Sequence, residues 1–470
     1  MGKSIQILLV ISILFFYVDS TYAQKGHFSD PNYNRNDYDI LDGLREKKMK
    51  KKLAEGDTIK KVAQKKKVYW IAVPVVGYNP FTGLILGAGG IFSTRFGDAA
   101  TTRISSIVPS YTWTTNNQNI FRMNSSIYTK DEKFYIFNSI QWAVSPQVTY
   151  GTGGNSQESW ATEIDPSTLK FTFRAYKKIA KNLFVGLNYN LDVKYKLEDA
   201  SAEAMQNIIS EGKSSGQSAQ EVQNTIETNF GDSDKTNYDS FWEQYNVSHD
   251  GFVDDYDTNS SSTELQREYY PTPFGYHPYG TTGNYTYSGI GINVLYDSRD
   301  NINTPFRGSY ANLIVNTYPE WLGSTYKSSS VYADLRHYFN LNKNYTQILA
   351  LWGLANLTFG DTPYLNLPRI GGDDWFSSGR GYTAGRYAGE KLLYLEAEYR
   401  VNIYKWFGMT AFANAHTVTE PEGGFEYINP GAGLGFRFQV IKKSRSTINF
   451  DYGVGKDGSS GLYMRFISAF

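Results

Sequence analysis

Cysteine is absent from the 470-residue chain. That absence excludes a disulfide framework, a thiolate nucleophile, a Cys-ligated metal and a lipid attached through cysteine. Histidine is scarce: only His27, His249, His277, His337 and His416 occur, and no pair of them has zinc-ligand spacing. An excess of charge of either sign is missing too. Lys plus Arg (46) equals Asp plus Glu (46), which argues against a dedicated nucleic-acid binder. Long apolar runs are limited to Ile5–Val18, so a helical membrane protein is excluded. Aromatic residues are abundant instead, 16% of the chain with 38 Tyr and 28 Phe, alongside 43 Gly.

The one apolar run is short for a span of about 20 residues. It follows Lys3 and precedes Thr21-Tyr22-Ala23, the pattern of a secretory signal peptide cleaved after Ala23. Residues 24–67 then carry 13 Lys/Arg against 7 Asp/Glu. This basic leader is expected on the periplasmic side. It reads either as a solvated segment or as a short helix, with Ile40, Leu41, Leu44 and Leu53 on one face, that docks on anionic headgroups or in an acidic mouth.

From Val68 onward the hydrophobic period becomes two. Leu183, Val185, Leu187, Tyr189, Leu191, Val193, Tyr195 and Leu197 alternate with Phe184, Gly186, Asn188, Asn190, Asp192, Lys194 and Lys196. One face is apolar and one largely polar over a length that crosses a bilayer when tilted. Ala311, Leu313, Val315 and Thr317 repeat the pattern, as do Ile107, Pro109, Tyr111 and Trp113. A sandwich also alternates, but these strands are long and their ends are crowded with Tyr and Trp, as interfacial girdles require. A sheet in hydrocarbon must pair its backbone groups by closing on itself. The expected fold is therefore all-β, a transmembrane antiparallel barrel over 68–470 of about sixteen strands. Their expected starts are Val68, Leu84, Ile104, Ile120, Lys133, Leu169, Leu183, Tyr285, Ser309, Thr325, Tyr345, Ala388, Trp406, Gly431, Ser446 and Leu462. Connections after even strands are tight and those after odd strands long, including 198–284 and 360–387. Short periplasmic turns and long external loops produce that parity.

The 198–284 loop carries 16 Asp/Glu and 3 Lys/Arg, with a surface helix expected over Ala200–Ile226. Asp254, Asp255, Asp257 and Asn259 are oxygen donors of the kind that hold Ca²⁺, without the spacing or glycine of a calcium loop. A solvated external cap is the simpler reading, and no metal or cofactor is assigned. Gly212-Lys213-Ser214-Ser215-Gly216 matches Gly-x-Ser-x-Gly, but no strand feeds it into a nucleophile elbow. Asn207 stands where a phosphate loop needs its first glycine. No enzymatic chemistry is expected.

Several motifs fall at fixed places in this frame. Arg369-Ile370-Gly371-Gly372 and Gly379-Arg380-Gly381-Tyr382 lie in the 360–387 loop, followed by Glu396-Ala397-Glu398-Tyr399-Arg400. Pro74 to Gly83 spans the first strand and its turn and includes Tyr-x-Pro-x-x-Gly at Tyr78, Pro80 and Gly83. Tyr296-Asp297-Ser298-Arg299-Asp300-Asn301 occupies a periplasmic turn, and Phe470 ends the chain. Together these resemble the BamA/TamA superfamily, the bacterial surface-antigen barrels of sixteen strands, here without the large periplasmic domains that often precede them. The resemblance implies an outer-membrane location and a role in inserting or translocating outer-membrane or surface proteins through a lateral seam. Its implied partners are outer-membrane lipids, client outer-membrane proteins and periplasmic assembly factors. The alternative class is a passive pore or surface receptor.

The resemblance also implies that Arg380 holds the loop inside the lumen while Gly379 and Gly381 let it turn. An enclosed guanidinium needs anionic partners. The family places an Asp within Phe-x-Asp-x-Gly on strand thirteen, where this chain reads Phe412-Ala413-Asn414-Ala415-His416. Asn414 keeps hydrogen bonding without the charge, and Glu396 and Glu398 are the candidate substitutes. The seam is expected between the first strand, with Pro74 and Gly77, and the last, ending at Phe470. Pro74 donates nothing to a ladder. It either weakens that seam or lies beyond the paired region.

Overall fold

The computed structural model describes residues 68–79, 82–98, 101–156, 158, 161–230, 256, 283–371, 378–421, 423–441 and 445–466. The expected signal peptide, the basic leader, Asp254, Asp255, Asp257, Asn259 and Phe470 lie outside them.

Alternation of apolar and polar side chains produces a meander of strands: β1 (Val68–Asn79), β2 (Gly83–Thr94), β3 (Ser105–Thr114), β4 (Asn119–Tyr128), β5 (Phe134–Val144), β6 (Gln147–Thr149), β7 (Thr162–Ala180) and β8 (Leu183–Asp199). After a helical insertion come β9 (Gly283–Asp297), β10 (Gly308–Tyr318), β11 (Ser328–Asn340), β12 (Gln347–Gly360), β13 (Lys391–Tyr404), β14 (Phe407–Val418), β15 (Asn429–Ile441), β16 (Ser446–Gly455) and β17 (Ser460–Phe466). All pair antiparallel with their sequence neighbours in one sheet. The three-residue β6 only lengthens the β5–β7 hairpin, so sixteen strands form the wall.

The two faces of this wall differ as a bilayer demands. Leu187, Leu395 and Leu434 point outward and are 66%, 68% and 60% exposed. Asn188, Asn293, Asn316 and Asp334 point inward and are buried among lumen side chains. Polar residues in and large apolar residues out is the inverse of a soluble core and the signature of a lipid-facing barrel.

Two expectations need correction. Alternation puts Leu197 on the outward face with Leu191 and Val193, but a register shift and a φ of +50° at Lys196 turn it inward. It is buried with Ile164, Ile209 and Val222 under a helical cap. That cap is two helices rather than one, α1 (Ala200–Ser215) and α2 (Ala219–Phe230), the second capped by Ser218 and Glu221 at 2.8 Å. β1 and β17 stand side by side, yet among the described residues no ladder joins them. On its other side, β1 is paired with β2, where Pro74 sits opposite Ala88 and Gly77 opposite Ile85.

Candidate functional site: the inward loop and its seat

The connection between β12 and β13 does not stay outside. It doubles back on itself, with Ile370 N–H on Tyr387 O at 3.0 Å and Gly389 N–H on Pro368 O at 3.0 Å. It then reaches both sides of the lumen. On one side, Asn366 donates to Asp192 of β8 at 3.0 Å and accepts from Tyr285 of β9 at 2.8 Å. Nearby, the hydroxyls of Tyr364 and Thr149 share a hydrogen bond. On the other side, Arg380 reaches the wall formed by β13–β17.

Gly379 and Gly381 flank Arg380 at φ +77° and +114°, conformations that a side-chain-bearing residue resists. The turn they make drives the guanidinium inward until it is 1% exposed. Its Nη2 meets Glu398 Oε2 at 2.5 Å and also pairs with Glu396, while Nη1 meets Asp451 Oδ2 at 3.0 Å. The aromatic ring of Phe412 lies 3.6 Å from Cζ, so one face of the fork is covered by a π-cloud. Asn414 faces the main chain rather than the guanidinium and donates to Arg380 O at 2.9 Å.

The carboxylates are themselves shared. Glu398 also accepts from Arg400 at 2.5 Å and Arg437 at 3.3 Å; Asp451 accepts from Arg465 at 2.8 Å and pairs with Arg437. Tyr394 donates to Glu396 at 2.5 Å. Four guanidinium groups thus meet three carboxylates in a lumen shielded from solvent, where ionic hydrogen bonds are strong and an unpaired member is costly. Alternation along one strand cannot reveal this, because Asp451, Arg437 and Arg465 come from β15–β17 and each alone reads as a lumen-facing charge.

Beyond Arg380 the loop lies against an inner wall where two glycines of β16 make room for it. A Cβ on Gly453 of β16 would come within 2.7 Å of Gly381 N, and one on Gly455 within 2.4 Å of the Tyr382 ring. Tyr382 accepts from Lys456 N–H at 2.8 Å and donates to Pro430 O at 2.5 Å. Burial raises its phenol above the ordinary value. His416, buried on β14, packs edge-on against this ring at 4.9 Å.

The connection between β5 and β7 folds over the same end of the barrel. Ser156 accepts from Arg386 through its hydroxyl at 2.7 Å and its carbonyl at 2.5 Å, and Gly153 N–H donates to Ala388 O at 2.8 Å. Glu420, on the β14–β15 connection, accepts from Gly154 N–H at 2.6 Å, and burial pushes its carboxyl upward. With the helical cap packed on Tyr364 and Leu367, three connections lie over the inward loop. At the other end, the Asp297–Asn301 turn pairs Asp297 with Arg299 at 2.9 Å, and Asp300 with Arg445 of the β15–β16 turn at 2.6 Å. Among the described residues no His/Cys/Asp/Glu cluster suits a metal ion. The Gly212–Gly216 motif falls at the end of α1, where no nucleophile elbow is formed.

A sixteen-stranded, lipid-facing wall holding an arginine-bearing loop in its lumen defines a class of outer-membrane barrel. A family profile for the Omp85 superfamily domain matches residues 154–465, so the chain belongs to the Omp85 superfamily and resides in the outer membrane. Solved barrels align along most of its length. BamA from Haemophilus ducreyi lacking POTRA domains 1–3 shares 13% identity, covering 86% of this chain and 71% of that one, with a TM-score of 0.49. CdiB from Acinetobacter baumannii shares 10% identity at a TM-score of 0.45, covering 86% of this chain and 60% of CdiB. This chain therefore spans about six-tenths of the length of CdiB. No curated protein matches the sequence.

Proposed function

We propose that this barrel inserts or translocates outer-membrane or surface proteins at the seam between β1 and β17. One observation carries the reading: the inward loop spans the lumen from Asp192 on β8 to Asp451 on β16, while the β1–β17 edge carries no ladder among the described residues. A route down the lumen would have to displace a buried ionic cluster. A route through the edge asks only that an incoming strand take up free backbone donors and acceptors, the physics of β-augmentation. Family membership supports the same kind of client. The partners are then outer-membrane lipids around the wall, unfolded outer-membrane proteins at the edge, and periplasmic factors that deliver them. No bond is made or broken in the client, so the role is not enzymatic.

The test is reconstitution. Proteoliposomes holding the full chain should convert an unfolded outer-membrane barrel into a protease-resistant, heat-modifiable form at least tenfold faster than empty liposomes, a change of about 1.4 kcal/mol in barrier. Equal rates, together with steady ion conductance in a planar bilayer, would overturn the proposal in favour of a passive pore.

A further inference from the structure

We infer that Tyr463 couples the seated loop to the seam strand, acting as a positioning residue for the edge where a client would enter. This rests on the seam reading above and adds the means by which the loop governs that edge. β17 is bound by a ladder on one side only, to β16 over Ile448–Val454. On the other side, toward β1, the described residues form none. The inward loop contributes contacts that the missing ladder does not. The Tyr463 hydroxyl accepts from Gly381 N–H at 3.0 Å and donates to Tyr382 O at 2.7 Å, so a single oxygen is bonded to two consecutive residues of the arginine turn.

The local sequence is shaped for this. A Cβ on Gly461, two residues earlier on the same face, would come within 2.7 Å of that oxygen, so glycine there leaves the phenol free to lie along its own strand. Ser459, just before β17, donates to Gly381 O at 2.9 Å, which fixes the start of the strand to the same residue. A second link runs through charge: Arg465 donates to Asp451 Oδ2 at 2.8 Å, the oxygen that Arg380 Nη1 also reaches at 3.0 Å. The guanidinium link ends on β16 and passes to β17 only through Asp451. The hydroxyl joins loop and seam strand directly. Loosening the loop therefore frees β17, and pulling β17 away loosens the loop, because coupling between two sites is reciprocal.

Hydrogen exchange of the full-length protein in micelles tests this through a double-mutant cycle. Tyr463→Phe keeps the ring and removes the oxygen. It should speed exchange of 460–466 about five- to tenfold, the scale of one or two hydrogen bonds, and leave 391–404 unchanged. Asn414→Ala, which frees Arg380 O without touching β17, should speed 460–466 several-fold in the native background and clearly less on top of Tyr463→Phe, where only the Ser459 and Asp451 links remain. That non-additivity is the signature of coupling rather than of general weakening. Unchanged exchange in Tyr463→Phe would overturn the inference, and so would an Asn414→Ala effect of equal size in both backgrounds. No client is present in these measurements, so the coupling and the insertase reading fail or stand separately.

Discussion

Arg380 and Glu398 are eighteen residues apart in sequence and 2.5 Å apart in the lumen, each side chain 1% exposed. One belongs to a loop and the other to the wall, so their pairing converts a long connection into a fixed partition.

The first prediction concerns the shape of that cation. Arg380 addresses Glu396, Glu398 and Asp451 at once, which a planar fork of five donors can do and a point charge on a flexible stem cannot. Arg380→Lys should behave almost like Arg380→Ala, each destabilising the seated loop by about 3 kcal/mol or more through buried carboxylates left unpaired. Limited proteolysis within 361–390 and urea unfolding report the effect. Native-like protection in Arg380→Lys would mean that net charge alone holds the loop.

Asn414 yields a less intuitive expectation. The family pattern has an acid at this position, yet here the Asn414 amide donates to a backbone carbonyl. Asn414→Asp removes the donor and sets a carboxylate against Arg380 O. It should loosen the loop by about 1–3 kcal/mol, although it restores the family residue. Increased protease resistance of the loop in Asn414→Asp would show that the guanidinium can turn to accept a fourth acid.

Glycines of the wall can be sorted by face. Gly455→Ala places a methyl 2.4 Å from the Tyr382 ring, an overpacking that should cost about 1–3 kcal/mol and unseat the turn. Gly353→Ala is the matched control: its Cβ meets only Leu395 at 3.5 Å, an ordinary contact. Planar-bilayer recordings should show long open events for Gly455→Ala and native behaviour for Gly353→Ala. Native behaviour in both would remove the moulded wall from the account.

Much of this was readable from period and parity. Fifteen of the sixteen expected strand starts lie within three residues of those observed, because a side chain on the wrong face of a lipid-facing strand is heavily penalised. The exception is β7, which begins at Thr162 rather than Leu169. Its first residues pair with β6 and the end of β8 and bury Ile164 under the helical cap, so the bilayer pattern does not govern them. Arg380, Glu396 and Glu398 were legible as one potential cluster, and the structure places all three together. Asp451, Arg437, Arg465 and Tyr463 were not. Their significance lies in which loop residue they meet across the lumen, and alternation fixes the face of a residue but not its partner on a distant segment. Leu197 was misplaced for a local reason, since one residue at positive φ inverts the faces that follow.

The most direct measurement locks the edge. The chain contains no cysteine, so one thiol placed in Val68–Asn79 and one in Ser460–Phe466 can pair only with each other. In proteoliposomes, client insertion should fall to the empty-liposome rate when an added oxidant joins the two thiols as a disulfide and return fully on reduction, with the single-cysteine proteins active throughout. Insertion at the native rate through an oxidised seam would contradict the account at its centre.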